Sequence, residues 1–176
     1  MGRICFFLCT FEAKLEKTSK NMRFIGNIEA KTDAKGRAFL PATFRKILQA
    51  NSVEHLVMRR DAFQQCLVLY PESVYNARLD ELESKVSVWN GKQQMIYRQF
   101  LKDVEVLSLD SNGRFLISGM YRKKANIGQD ICFVGMGDVI EVWNPEELEK
   151  TMMDEQTYGD ELEMLMADKE EKSEEI

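Results

Sequence analysis

The order of apolar and polar residues begins with a pattern typical of a short strand, a turn and a second strand. The stretch FIGNIEAKTD, residues 24–33, alternates loosely between apolar and polar positions. DAKGR follows as a turn in which Gly36 can adopt a positive φ, and RAFLP, residues 37–41, resumes an extended apolar run. The sequence therefore predicts a β-hairpin that carries Lys35 and Arg37 at its tip.

A short helix and two more strands are predicted to complete this unit. Pro41 is typical of the first turn of a helix, and the residues after it have helical spacing. Arg45 and Lys46 are predicted to face outward, and the segments EHLVMRRD and CLVLYP are predicted strands. We call residues 22–71 the first copy. The helix residues predicted to face inward are Phe44, Ile47 and Leu48.

Residues 72–104 are predicted to form a helical connector. One apolar stripe runs along its first part, the segment WNG interrupts it, and a second helical segment follows. The first stripe consists of Tyr75, Leu79, Leu82 and Val86, and the second of Ile96, Phe100 and Val104.

Residues 105–153 repeat the first copy, and we call them the second copy. The segment LDSNGRFLISGMYRKKA matches TDAKGRAFLPATFRKIL, and the strands DICFVGMG and DVIEVWN with a helix from Pro145 follow in the same order. A duplicated strand-rich unit is the simplest explanation. The matched pairs are Asp33 and Asp110, Gly36 and Gly113, Arg37 and Arg114, Arg45 and Arg122, and Lys46 and Lys123.

The ends of the chain differ from these copies. Residues 1–21 are an extension that we leave out of the fold prediction, and translation can begin at Met1 or at Met22. Residues 146–176 carry 13 acidic residues and three lysines, whereas residues 1–145 carry 21 basic and 16 acidic residues. The body is therefore basic. The acidic tail, residues 154–176, is predicted to be disordered or a marginal helix.

Composition argues against several classes of protein. The apolar run Ile4–Phe11 is too short for the roughly 20 residues that span a bilayer, and no signal-peptide cleavage pattern follows it. The four cysteines and the single His55 lack metal-site spacing. Asp33 and Asp110 have no recurring nucleophile or histidine beside them. We therefore expect a cytoplasmic protein with no enzymatic activity, no metal and no cofactor.

The two turns instead favour nucleic-acid binding. An arginine at a rigid turn presents a planar fork that suits a phosphate or a guanine edge. Arg37 and Arg114 occupy such positions, and an aspartate four residues earlier can hold each turn in shape. Further basic residues lie close to both turns in the sequence, namely Lys35, Arg45, Lys46, Arg122, Lys123 and Lys124.

The chain resembles the MraZ family of bacterial transcriptional regulators from about Met22 to Met153. The resemblance rests on the duplicated Asp-x-x-x-Arg motif, on Leu-Pro-x-x-Phe-Arg and on the segment VGMGDVIEVWNPEELE. It implies an α+β fold of two AbrB-like (SpoVT-AbrB type) swapped-hairpin β-barrel halves, which form a pseudo-twofold unit with helical connectors. It also implies a ring of several chains.

The resemblance implies a function as well. Family members bind direct repeats in the promoter of their own division and cell-wall operon, and usually repress it. Here it implies contacts to double-stranded DNA from Arg37, Arg114 and Lys35, and a nucleoid-associated location. Asn112 in the second turn either leaves a weaker contact or reads a base edge itself. The residues that shape the two turns would be Asp33, Gly36, Asp110 and Gly113.

Two other functions stay open at this point. An AbrB-type antitoxin shares the half-unit, and it would bind a partner toxin through a flexible tail. A ring-forming scaffold would use its basic loops to bind protein, without a salt-sensitive affinity for DNA.

Overall fold

The structure, a computed structural model, describes residues 22–171 and the side chains of residues 22–167. The predicted extension, residues 1–21, lies outside the described residues. The chain divides into two compact units, Met1–Pro145 and Glu146–Ile176. None of the described helices is both long and apolar enough to cross a membrane. The elements are β1 (Phe24–Lys31), β2 (Arg37–Phe39), α1 (Ala42–Ala50), β3 (Leu56–Arg60), β4 (Leu67–Pro71), α2 (Glu72–Lys85), α3 (Gly91–Lys102), β5 (Val104–Leu107), β6 (Arg114–Leu116), α4 (Gly119–Lys124), β7 (Asp130–Gly137), β8 (Val139–Trp143), α5 (Pro145–Glu149) and α6 (Glu155–Glu171).

All strands pair antiparallel, and they mix the two copies. The larger sheet has six strands in the order β1-β7-β8-β4-β3-β5, and β2 pairs with β6 in a separate two-stranded ribbon. In the larger sheet, β1, β3 and β4 come from the first copy, whereas β5, β7 and β8 come from the second. Each copy therefore places its first strand beside a strand of the other copy. The predicted α+β class is confirmed.

The predicted hairpins are wrong in their strand partners. β1 pairs with β7 along its whole length, and β2 pairs with β6, so the two sides of the first turn share only a bridge between Thr32 and Ala38. The ribbon aligns Ala38 with Phe115, and both side chains are buried. Pairing across the copies thus removes apolar surface from water in both copies at once. Within the described residues the larger sheet is open, with β1 and β5 at its edges, so no closed barrel is found.

The core combines residues from both copies. In the first, the rings of Phe24 and Phe44 meet edge to face with centroids 5.6 Å apart. In the second, Phe115 and Phe133 make a similar contact at 6.3 Å. Such aromatic pairs add about 0.5–1.5 kcal/mol beyond their buried area. The helix predicted after Pro41 is confirmed as α1, which buries Phe44 and Leu48, whereas Ile47 is only half-buried.

The connector consists of α2 and α3. Asn90 begins α3 by accepting a hydrogen bond from the backbone N–H of Gln93, which explains the break predicted at WNG. Val104 was predicted to extend the second stripe, but it begins β5, where it pairs with Arg59. The guanidinium of Arg59 also lies 3.8 Å from the ring centroid of Phe100, so α3 is anchored to β3.

The acidic tail is helical over Glu155–Glu171, and its described side chains are exposed. Asp154 accepts hydrogen bonds from the backbone N–H and the hydroxyl of Thr157, at 3.0 and 2.6 Å. An aspartate at this position satisfies an N–H group that the first turn of a helix leaves unpaired. The structure thus has this part of the tail as a helix, one of the two forms predicted for the segment.

Gly135→Ala is expected to lower the free energy of unfolding by about 1–3 kcal/mol. A Cβ atom at Gly135 would overlap with the carbonyl carbon of Phe24 and stand 2.5 Å from the nitrogen of Ile25, so the backbone of β1 would have to move. Urea denaturation measures the change. Gly128→Ala is the control, because its Cβ meets nothing within 4 Å. Equal stability of the two variants would contradict the close pairing of β1 with β7.

Candidate nucleic-acid interface

The first turn, residues 33–37, is built around the carboxylate of Asp33. One oxygen, Oδ1, accepts hydrogen bonds from the backbone N–H groups of Lys35 and Arg37, both at 2.9 Å. The other, Oδ2, accepts one from Nε of Arg37 at 2.7 Å. Gly36 has a φ of +80°, which only glycine adopts without strain. We call these residues the first loop.

The second turn, residues 110–114, has the same construction. Asp110 accepts from the backbone N–H groups of Asn112 and Arg114 at 2.9 Å, and from Nε of Arg114 at 2.8 Å. Gly113 has a φ of +78°. The matched motifs therefore have matched geometry, and we call these residues the second loop.

The two aspartates have a structural role that uses both carboxylate oxygens. Hydrogen bonds from the backbone N–H groups of Arg37 and Arg114 are the main cause that lowers the pKa of Asp33 and of Asp110, and the arginine side chains lower it further. Both groups are ionised at neutral pH. Each fixes the direction of its arginine at Nε and leaves the terminal nitrogens of the guanidinium for another acceptor.

The β2–β6 ribbon places both arginines on one surface. Side chains alternate along a strand, so burial of Ala38 and Phe115 directs their neighbours to the opposite face. We call this the outer ribbon face. Strand geometry puts the Cα atoms of Arg37 and Arg114 about 8 Å apart, diagonally across the ribbon. Its members are Arg37, Phe39, Arg114 and Leu116, with Arg37 paired to Leu116 and Phe39 to Arg114.

The two ends of this face differ. The guanidinium carbon of Arg114 lies 5.6 Å from the ring centroid of Phe39, whereas Arg37 is paired with Leu116, which has no ring. The side chain of Arg114 is accordingly less exposed, 24% against 35% for Arg37. The first loop adds the exposed Lys35, and the second has Asn112 at the matching place.

The prediction that Arg45 faces outward is wrong. Its side chain is half-buried against the second loop, where a Cβ on Gly113 would stand 2.5 Å from Cδ and Nη1 of Arg45. Arg122, the matching residue, lies against the first loop, with Cζ and Nε 3.1 Å from a Cβ built on Gly36. Both loop glycines thus make room for an arginine from the other copy.

Backbone hydrogen bonds also connect each copy to the loop of the other copy. The N–H of Leu40 donates to the carbonyl of Gly113 at 3.0 Å, and the N–H of Ile117 donates to the carbonyl of Gly36 at 2.9 Å. Sequence comparison of the copies matches Arg45 with Arg122, but strand exchange is what assigns each arginine to the opposite loop. The sequence alone does not indicate which loop each arginine contacts, because that depends on the pairing of β2 with β6.

The described part of the chain has no arrangement of residues suited to metal binding or to catalysis by a cysteine. Residues 22–171 contain no group of three or more histidine, cysteine or acidic residues arranged to hold a metal ion. Cys66 and Cys132 are free and buried, as the sequence indicates, and burial raises the pKa of both thiols. They are therefore protonated at neutral pH and poor nucleophiles.

Comparison with known proteins identifies similar sequences over most of the chain. A family model for MraZ protein, described as antitoxin-like, matches residues 24–99 and residues 100–160. Each matched range contains one of the two loops. The duplication is therefore present at the level of the family model as well as in the structure.

Individual relatives carry the name transcriptional regulator MraZ. The chain is 56% identical over 145 residues to the one from Phocaeicola vulgatus, covering 82% of this chain and 94% of that protein. It is 54% identical over 147 residues to the one from Bacteroides thetaiotaomicron, covering 84% and 94%. For the one from Rhodospirillum rubrum the identity is 35% over 139 residues, covering 77% and 88%.

Arg37→Ala is expected to raise the pKa of Asp33 only part of the way to its usual value of 3.8, because the backbone N–H groups that contribute most remain. Carbon-13 NMR titration of the carboxyls measures this, with Asp110 as internal control. Since folding lowers the pKa of Asp33, its contribution to stability is present above pH 3.8 and is lost as pH falls through the folded-state value. A complete return to the usual value would contradict the hydrogen-bonding scheme.

Gly113→Ala is expected to destabilise the fold by about 1–2 kcal/mol, because an L-residue is strained at positive φ and the new methyl group displaces Arg45. Thermal unfolding measures the loss. Gly91→Ala is the matched control, since its Cβ meets nothing within 4 Å and its φ is not positive. An unchanged Gly113→Ala variant would argue against the loop conformation.

Proposed function

The chain belongs to the MraZ family, and from that premise we propose that it is a sequence-specific DNA-binding transcriptional regulator. The outer ribbon face is its binding surface. The observation that carries this proposal is the pair of carboxylate-oriented arginines, Arg37 and Arg114, about 8 Å apart on one exposed face. Arginine offers parallel donors that match a phosphate or the O6/N7 edge of guanine.

The remaining residues of the two loops have different roles in the proposed binding to DNA. Lys35 is a flexible point charge that suits a phosphate, whereas the side-chain amide of Asn112 suits the donor and acceptor on an adenine edge. Asp33, Gly36, Asp110 and Gly113 shape the loops and make no contact with DNA. The surface thus combines positioning contacts to the backbone with base contacts that carry specificity.

One chain offers few contacts, so binding is multivalent in this proposal. A few loop cations alone give the weak affinity typical of non-specific complexes. A ring of several chains that meets several direct repeats makes each later contact intramolecular, and the high effective concentration raises the affinity. The target is the promoter of the chain's own division and cell-wall operon, and the effect is repression.

Location and architecture follow from the same proposal. The protein acts in the cytoplasm, associated with the nucleoid, and needs no cofactor. Exchange of first strands between the copies supports two AbrB-like swapped-hairpin halves within one chain, related by a pseudo-twofold axis between β4 and β8.

An antitoxin is the second candidate function, because the matching family is described as antitoxin-like. It would bind a toxin through the acidic C-terminal segment, and a small basic protein would co-purify with residues 154–176. The presence of two copies of the unit in one chain favours the regulator.

Fluorescence anisotropy with a labelled duplex from upstream of the gene tests the proposal. Arg37→Ala/Arg114→Ala is expected to weaken binding at least tenfold, since each specific arginine contact contributes about 1–3 kcal/mol. Lys92→Ala/Lys102→Ala removes the same charge from α3 and is the matched control. Unfolding and assembly of each variant are checked first.

The same titration separates the alternatives. Affinity is expected to fall steeply with salt and to rise with the number of promoter repeats. Equal binding by intact protein and arginine variant would move the contact to another surface. No binding by either would favour the antitoxin or a ring-forming scaffold that binds protein.

A further inference from the structure

Arg45 and Arg122 pack against the two loops. They differ from the arginines within the loops in whether a carboxylate balances their charge. Arg37 and Arg114 each form an ion pair with an aspartate, at 2.7 and 2.8 Å. Arg45 and Arg122 form no ion pair with any carboxylate in the described part of the chain. Each loop therefore has beside it an arginine of the other copy whose charge no described carboxylate balances, and the first loop adds the exposed Lys35 of its own copy.

Their guanidinium groups are also short of hydrogen-bond acceptors. Nε of Arg45 and Nε of Arg122 are both buried and have no partner among the described atoms. Nη1 of Arg45 reaches the carbonyl of Asn112 only at 3.5 Å, the long limit for a hydrogen bond. A charged donor left without an acceptor is costly. Because Nε is buried in both residues, an anion could reach these guanidinium groups only at their terminal nitrogens.

The backbone is arranged to keep these arginines where they are. A side chain at Gly113 or Gly36 would overlap with them or crowd them, so the glycines permit the contact. Each arginine lies on the helix that follows a ribbon strand, Arg45 on α1 and Arg122 on α4. Because β2 and β6 are antiparallel, the end of each ribbon strand, from which its helix follows, lies beside the loop of the other copy.

We propose that Arg45 and Arg122 bind phosphates of double-stranded DNA, each beside the loop of the opposite copy. The inference rests on the proposed function and names further residues of the same surface. Arg122 then acts with Lys35 and Arg37, and Arg45 acts with Asn112 and Arg114. Every contact unit is composite, and neither copy supplies one alone.

Variants that remove or keep the charge test the proposal. In Arg45→Gln/Arg122→Gln the side chains stay polar but lose their charge, whereas Arg45→Lys/Arg122→Lys keeps the charge. Lys46→Gln/Lys123→Gln is the control, because these exposed lysines follow the arginines on the same helices. Affinity for the promoter duplex is measured by anisotropy over a range of salt concentrations.

The expected result is a change in salt dependence as well as in affinity. Each lost phosphate contact lowers the slope of log K against log salt by about 0.9, so the glutamine variant is expected to lose about 1.8 for each chain engaged. The lysine variant is expected to keep the slope, and the Lys46/Lys123 control to lose less than the glutamine variant. A merely structural role would weaken binding in the lysine and glutamine variants alike and leave the slope unchanged.

Other outcomes overturn distinct parts of the proposal. If intact protein binds and the glutamine variant matches it in affinity and slope, Arg45 and Arg122 do not touch DNA. If the control loses as much as the glutamine variant, the effect belongs to general charge rather than to these two arginines. If intact protein binds no duplex, the proposed function itself fails, and this inference fails with it.

Discussion

The antiparallel pairing of β2 with β6 is the constraint on which the rest of the candidate surface depends. It is only three residue pairs long, yet it decides which side chains face water. It buries Ala38 and Phe115, turns Arg37 and Arg114 to the same side, and directs α1 and α4 toward opposite loops. A chain with a single copy has no second strand to complete this ribbon. When both copies lie in one chain, the pairing of the two strands is intramolecular. It therefore has a much lower entropic cost than the association of separate chains.

In each loop, the aspartate that orients the arginine also reduces the net positive charge. The aspartate that points an arginine outward cancels much of its attraction for a phosphate, and an unpaired arginine on a flexible loop would be ordered only at an entropic cost. The structure handles the two needs with different residues. Arg37 and Arg114 are oriented by Asp33 and Asp110, whereas the arginines of α1 and α4 lie beside them without a carboxylate. Orientation is thus local to a copy, whereas an arginine without a carboxylate partner comes from the other copy.

Much of this could be predicted from the sequence, because the decisive signals were local. Apolar spacing located α1, β3 and β4, and the Asp-x-x-Gly-Arg pattern identified both turns and the positive φ of Gly36. Strand partners could not be predicted, because alternation within β1 says which residues are buried but not which strand lies beside it. The predicted orientation of Arg45 was wrong for the same reason. Helical spacing indicates a residue that faces solvent, but the second loop covers it. The tail was ambiguous because its composition is polar while Asp154 favours a helix start.

The differences between the two ends of the ribbon give it a direction. Lys35 and Leu116 stand at one end, and Asn112 and Phe39 at the other, so a half-turn of the molecule does not reproduce the same surface. A dimer of identical single-copy chains has an exact twofold axis and therefore suits palindromic sites. Two copies in one chain are not bound by that requirement, and here the two ends differ. A surface with two different ends can distinguish the two directions of an asymmetric binding site, whereas two halves related by an exact twofold axis cannot.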